Sequence, residues 1–347
     1  MLERRRIVEL WKRSDAAALI TLVRVEGSSY RRPGARLLIA RDGEYAGAIS
    51  GGCLETELLR KAQWMVRDGA VVERYSTLFD DTADIPYGLG CGGTVDLLLE
   101  RVDTPEFAAL MQAMEASLGG AQFRAATQLP QDGAAFSRCV LDASGETIFR
   151  GVVDGLQPMF EEWLDPPQRL VVFGAGDDAR PLVTMAAGLG WSVVVVDGRA
   201  QWARRERFAE AEFVATSAAG LRIGADDAVV VMTHSYEQDR AWLVEALPAL
   251  PRYLGLLGAR HRSALLLSEA AALLEWNVAR VCERVYAPMG LDLGGDGAEA
   301  IALATVAEIQ ACLAEKLPQM RRMTPELIAE QVARGGASRY LQTACAL

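Results

Sequence analysis

Apolar residues recur along this chain in two different rhythms, and the change between them falls at 151–168. Upstream, short runs at Ala18 to Glu26, Ala35 to Ala40 and Tyr45 to Ser50 read as strands, with Arg41 to Glu44 turning the last two into a hairpin. Leu54 to Asp68 then carries Leu58, Leu59, Ala62, Met65 and Val66 at helical spacing, which predicts a helix packed by one face on that sheet. Further strands are expected at Val71 to Tyr75, Thr94 to Arg101, Phe136 to Asp142 and Glu146 to Arg150, with a helix near Pro105 to Ser117. The opening MLERRRIVELWKRSD reads as an amphipathic helix and not as a secretory signal. Together these elements predict an N-terminal α+β domain over 1–155.

Downstream, the order becomes strand, helix, strand: Arg169 to Phe173, Asp178 to Leu189, Ser192 to Asp197, Asp227 to Thr233, Tyr236 to Leu247, Tyr253 to Leu257. Such alternation predicts an α/β class, with a C-terminal Rossmann-like domain built on a parallel sheet over 168–320. A helical tail is expected over 321–347. The intervening GVVDGLQPMFEEWLDPPQ, rich in glycine, proline and acids, reads as the connector.

Composition narrows the function classes. Lys and Arg number 36 against 46 Asp and Glu, and a net charge of −10 argues against a nucleic-acid partner. No apolar run reaches membrane-spanning length. Cysteines at 53, 91, 139, 282, 312 and 345 have no regular spacing, which suits a reducing cytoplasm better than a disulfide framework.

In the second half, GAGDDA from Gly174 joins a strand to a helix, and Asp197 ends the next strand 21 residues after Gly176. Gly174, Gly176 and Asp197 therefore sit where a dinucleotide's pyrophosphate and ribose would be held. Asp177 and Asp178 stand where the pyrophosphate would lie, and a second reading has them cap the helix with no ligand at all. THSYEQD and GLLGAR fall at the carboxyl ends of later strands, facing the same crevice, and His234 reads more readily as a structural hydrogen-bonding residue than as an acid, base or ligand.

The first half offers different chemistry. GSSYRRPGAR spans Gly27 to Arg36, and its guanidinium groups suit a phosphate or carboxylate, against the alternative of a strand turn with solvated charges. In SGGCLE, Gly51 and Gly52 precede a helix whose start favours an anion and the thiolate of Cys53. Glu55, in the first turn of that helix, reads either as a cap or as a charge opposing the thiolate. GLGCGG gives Cys91 an equally open backbone, while Cys139, Cys282, Cys312 and Cys345 fall in apolar or helical patterns and read as packing residues. The absence of histidine from this half excludes a Ser-His-Asp triad within it, and no zinc-like ligand cluster or Walker loop is present in the sequence.

Taken in order, GSSYRRPGAR, GAISGGCLE, GCGG, GAGDDARPL, VVVDGR, YLGLLGAR and PMGLDLGGDGAEAIALATVAEI resemble the XdhC and CoxI family. That resemblance implies an accessory protein that binds the molybdenum cofactor and helps insert it, in sulfurated form, into xanthine dehydrogenase or a related molybdenum hydroxylase. It also implies a cysteine desulfurase as partner and a homodimer. Carried onto this chain, the family's cofactor-binding motifs give Cys53, Cys91, Ser29, Arg31 and Arg32, with Cys53 and Cys91 as the candidates to contact molybdenum. The rival reading is an oxidoreductase that uses NAD or NADP in the second domain, and a third is a regulatory nucleotide sensor with incidental cysteines.

Overall fold

The computed structural model describes residues 1–27, 29–52, 54–76, 93–130, 135–151, 159–316 and 323–333. The chain divides into two compact units, Met1–Pro167 and Gln168–Leu347.

In the first unit the elements follow as α1 (Leu2–Arg13), β1 (Ala16–Glu26), β2 (Arg36–Ala40), β3 (Tyr45–Gly47), α2 (Glu55–Met65), β4 (Val71–Ser76), β5 (Thr94–Arg101), α3 (Pro105–Leu118), β6 (Phe123–Gln128), β7 (Ser137–Asp142), β8 (Thr147–Arg150) and β9 (Met159–Leu164). β1 to β5 form an antiparallel sheet of order β3-β2-β1-β5-β4, and β6 to β9 a second sheet of order β8-β7-β6-β9. Alternation along β1 sends Leu19 toward α1 and α3, where Ile7, Leu10, Phe107, Leu110 and Met114 are buried, and Ile20 and Leu22 toward Leu58 and Ala62 of α2. Sheet faces covered on both sides explain why AAALITLV is apolar without a polar register. A bidentate pair, Arg138 to Glu100 at 2.9 and 3.0 Å, is buried between β7 and β5.

Two differences from the sequence reading stand out. Thr127, Gln128 and their neighbours form β6, which pairs with β9, and β9 lies inside the segment read as a connector. Its MFEEWL alternates Phe160 and Leu164 inward against exposed Glu161 and Trp163, a strand rhythm masked by flanking Gly and Pro.

The second unit runs β10 (Arg169–Phe173), α4 (Ala179–Gly188), β11 (Ser192–Val196), β12 (Phe213–Ala215), β13 (Ala228–Val231), α5 (Tyr236–Ala246), β14 (Tyr253–Leu256), α6 (Arg260–Leu273), α7 (Val278–Cys282), α8 (Ala298–Leu313) and α9 (Pro325–Ala333). Its strands are all parallel, in the order β12-β11-β10-β13-β14. Leu170 and Val172 point to the layer of α4 and α8, whereas Val171 and Phe173 meet α5, α6 and α9. Met323 and Ile328, within the stretch expected to be a separate tail, are buried in that second layer. No helix among the described residues is long and apolar enough to cross a membrane.

Candidate functional site

The motifs of the first unit follow or precede strand termini at one end of the five-stranded sheet. GSSYRRPGAR is the turn from β1, which ends at Glu26, to β2, which starts at Arg36. Thr94, the first residue of β5, pairs with Glu26 and with Ser76, the last residue of β4, so the chain between β4 and β5 leaves and returns beside that turn. Gly47, the last residue of β3, pairs with Leu37, so the chain leaves β3 toward SGGCLE at the same end of the sheet. Gly47 has φ +94°, and a Cβ there would stand 2.1 Å from the Arg36 carbonyl oxygen, so only glycine allows this approach. Cys53 and Cys91 lie outside the described residues; Gly52 and Leu54 flank the first, and Ser76 and Gly93 bound the segment that holds the second.

Glu55 builds the SGGCLE turn. Its Oε1 accepts the amides of Ile49 at 3.0 Å and Ser50 at 2.7 Å, and its Oε2 accepts the Ser50 hydroxyl. The Ser50 Oγ in turn accepts the amides of Gly52 and Leu54, each at 3.2 Å. Burial works against the Glu55 charge, yet these hydrogen bonds together outweigh it and hold its pKa below the usual range. Between capping the helix and opposing a nearby thiolate, the contacts give Glu55 a third role, that of a brace for the turn. Gly52 spends its amide on Ser50, so it is not a free donor to an anion, while both Gly51 and Gly52 remain exposed.

Arg31 and Arg32 line a cavity of about 620 Å³ together with Arg4 and Arg36. Ser29 is half-buried in the same turn and is not part of that lining. Arg36 belongs to the GSSYRRPGAR motif and heads the apolar strand RLLIA, where it is 5% exposed; Arg4, from α1, has no signal in the sequence that ties it to this turn.

In the second unit, Gly174 has φ +125° and an added Cβ would meet the Met232 carbonyl oxygen at 2.4 Å, so the β10–α4 turn needs glycine for backbone packing alone. Asp197 is 2% exposed, and its carboxylate is already engaged: Oδ2 accepts the Ala175 amide at 2.8 Å, Arg199 Nη2 at 2.6 Å reaches the same oxygen, and Arg199 N and Nε reach Oδ1 at 2.9 Å. Burial opposes that charge, but the Arg199 and Ala175 bonds prevail and hold its pKa below the ordinary range. Asp178 is the residue before α4 yet makes no side-chain cap bond; it pairs with His234 Nε2 at 2.7 Å, and Asp177 pairs with Arg207 at 3.0 Å. In place of helix capping, Asp178 makes a hydrogen bond with His234 and Asp177 an ion pair with Arg207. Asp178 Oδ1 also stands 2.5 Å from where a Cβ on Gly176 would be, so a carboxylate covers the glycine a pyrophosphate would approach. His234 makes its hydrogen bond with Asp178 from a backbone with φ +62°.

Among the other cysteines, Cys282 is buried, and burial, with Glu326 and Glu283, pushes its thiol up to about 11. Cys312 exchanges a hydrogen bond with Tyr286 Oη at 3.3 Å, and Cys139 is half-buried in β7. Cys345 lies outside the described residues.

Comparison with known proteins adds identity to this geometry. Residues 10–76 match the model of the XdhC and CoxI family, and residues 170–309 match the XdhC Rossmann domain. The chain is 28% identical over 315 residues to a Bacillus subtilis (strain 168) protein named as a probable xanthine dehydrogenase subunit, covering 85% of this chain and 92% of that protein. It is 28% identical over 306 residues to the molybdenum cofactor insertion chaperone PaoD of Escherichia coli (strain K12), covering 87% and 85%. A crystal structure described as a xanthine dehydrogenase from Bacillus halodurans matches with a TM-score of 0.78 at 28% identity, over 91% of this chain and 96% of that one. With both of its units matched in order, this chain belongs to the XdhC and CoxI family, its second unit being an XdhC Rossmann domain.

Proposed function

We propose that this protein binds the molybdenum cofactor as cargo and inserts it into a xanthine dehydrogenase-type molybdenum hydroxylase during maturation. The observation that carries the reading is that GSSYRRPGAR, SGGCLE and both ends of the segment holding GLGCGG join the strands at one end of the sheet. The likeness to a cofactor insertion chaperone over 87% of this chain supports it. In this account Cys53 and Cys91 meet the molybdenum and sulfur end, since thiolates suit a soft, sulfur-bound metal. Ser29, Arg31, Arg32 and Gly51 serve the pterin and its phosphate, through guanidinium forks and open backbone, while Gly52, whose amide is held by Ser50, leaves room for the cofactor by lacking a side chain. A cysteine desulfurase supplies the sulfur, and the carrier works in the cytoplasm as a homodimer, as the family resemblance implies. Holding and release suffice; no turnover is required of it.

The dinucleotide alternative finds little support in the second unit. Asp197 is committed to Arg199 and Ala175, and Asp178 covers Gly176, so Gly174, Gly176 and Asp197 act in this account as the scaffold of the turn. The functional test is transfer: protein loaded with cofactor is mixed with a cofactor-free xanthine dehydrogenase-type hydroxylase, and activity is followed. Activation faster than with free cofactor is expected from wild type and not from Cys53→Ala or Cys91→Ala; equal rates for all three would reject the insertion role.

A further inference from the structure

We infer that the cavity walled by Arg4, Arg31, Arg32 and Arg36 seats the phosphomonoester end of the pterin cargo, an inference that rests on the cofactor-binding reading above. At about 620 Å³ the cavity falls within the span of ordinary small-molecule sites. Four guanidinium groups reach it from three parts of the chain: α1, the β1–β2 turn and the head of β2.

Their charges are unevenly answered. Arg31 donates to both oxygens of Glu3, at 2.7 and 2.6 Å, and Arg36 forms an ion pair with Glu162. Glu161, the third carboxylate of the lining, is engaged by Arg124 on the sheet surface. Arg4 instead donates to neutral acceptors, Ser117 Oγ at 2.9 Å and the Asp165 carbonyl at 2.7 Å. Arg32 is exposed, and its guanidinium has no hydrogen bond or ion pair among the described residues. Two cations are thus left without a contacting carboxylate, in a chain whose net charge is −10.

A second observation points to a missing acceptor. Arg36 is 5% exposed, and its Nε–H has no hydrogen-bond partner among the described residues. A buried guanidinium donor left unmet costs free energy that an anion bound there would recover. Burial, and then the proximity of Arg36, also pull the Arg4 pKa below its usual value, the mark of two guanidinium groups crowded together. An anion between them relieves that repulsion. Phe160, Trp163, Ile7 and Met114 supply apolar wall beside the cations, which suits a planar ring attached to the phosphate.

The test is calorimetric titration of the full chain with three probes: an oxidised pterin phosphomonoester, the same pterin without phosphate, and inorganic phosphate. Wild type is expected to bind the phosphorylated pterin at least about tenfold more tightly than the dephosphorylated one. Arg32→Ser and Arg4→Gln should each lose about tenfold for the phosphorylated form and nothing for the other. Arg32 is exposed, so its variant keeps the fold, and an unchanged urea midpoint verifies that. Equal affinity for the two pterins, or a preference untouched in Arg32→Ser, overturns the phosphate seat, while a pterin that still binds preserves the carrier reading. Binding of inorganic phosphate with the same arginine dependence but no added affinity for the pterin also overturns it, as a general anion site. Failure of both pterins to bind overturns the seat and the carrier reading together.

Discussion

Removing the Glu55 carboxylate should loosen the turn that carries Cys53. Glu55 is 6% exposed and accepts the Ile49 and Ser50 amides and the Ser50 hydroxyl, and Ser50 then holds the amides of Gly52 and Leu54. Glu55→Ala strands the Ile49 amide, whose residue is 2% exposed, at the full cost of a buried unmet donor. Water can reach Ser50 and the exposed glycines, so the remaining losses are partial. The sum is roughly 2–4 kcal/mol. Glu55→Gln keeps an acceptor for the two amides but loses the charge, and should cost about 1–2 kcal/mol. The assay is urea unfolding with the midpoint and slope measured from neutral to acid pH. Because the folded pKa lies below the ordinary 4.5, the advantage of wild type over Glu55→Gln is fully present above that value and lost as pH falls through the lowered one. Glu55→Ala within about 0.5 kcal/mol of wild type, or a wild-type advantage that does not change with pH, would refute the brace.

Three further outcomes follow from the contacts. Arg138→Met leaves the Glu100 carboxylate, which is 0% exposed, without its bidentate partner and should cost about 3–5 kcal/mol in urea unfolding, whereas Arg138→Met with Glu100→Leu should return to near wild-type stability. Tyr253→Phe removes the hydroxyl that meets Glu308 Oε2 at 2.5 Å in the second unit, and a loss of about 1–3 kcal/mol is expected from the same measurement. Titration with NADH, followed by nicotinamide fluorescence, should show no saturable binding up to about 1 mM, and a saturating curve abolished by Gly176→Val would restore the dinucleotide reading.

Much of the second unit was legible because parallel strands buried on both faces are continuous apolar runs. LVVF, SVVVV and AVVV announce β10, β11 and β13 within a residue or two of their ends. α6 was missed although its Arg260–Leu273 span is apolar on several sides, because RHRSALLLSEAAAL lacks a single amphipathic stripe. β12 is only three residues long, too short for any period to register. In the first unit, FRAATQ has few branched residues, and β6 is a strand through its pairing with β7 on one side and β9 on the other. The site divided similarly. The glycine turns and Arg31 and Arg32 could be read locally, but Arg4 comes from α1 and Glu162 from β9, and nothing in a linear pattern joins them to the turn. The Asp178–His234 pair likewise spans 56 positions and depends on β10 and β13 lying side by side.

The most direct test of the carrier account is the pterin content of full-length protein purified from molybdenum-replete cells, released by acid oxidation and measured by fluorescence. Wild type should release pterin in proportion to protein, and Cys53→Ala and Cys91→Ala should release far less while keeping the wild-type urea midpoint. Wild-type protein that carries no pterin under any such condition, or cysteine variants that carry as much as wild type, would contradict it.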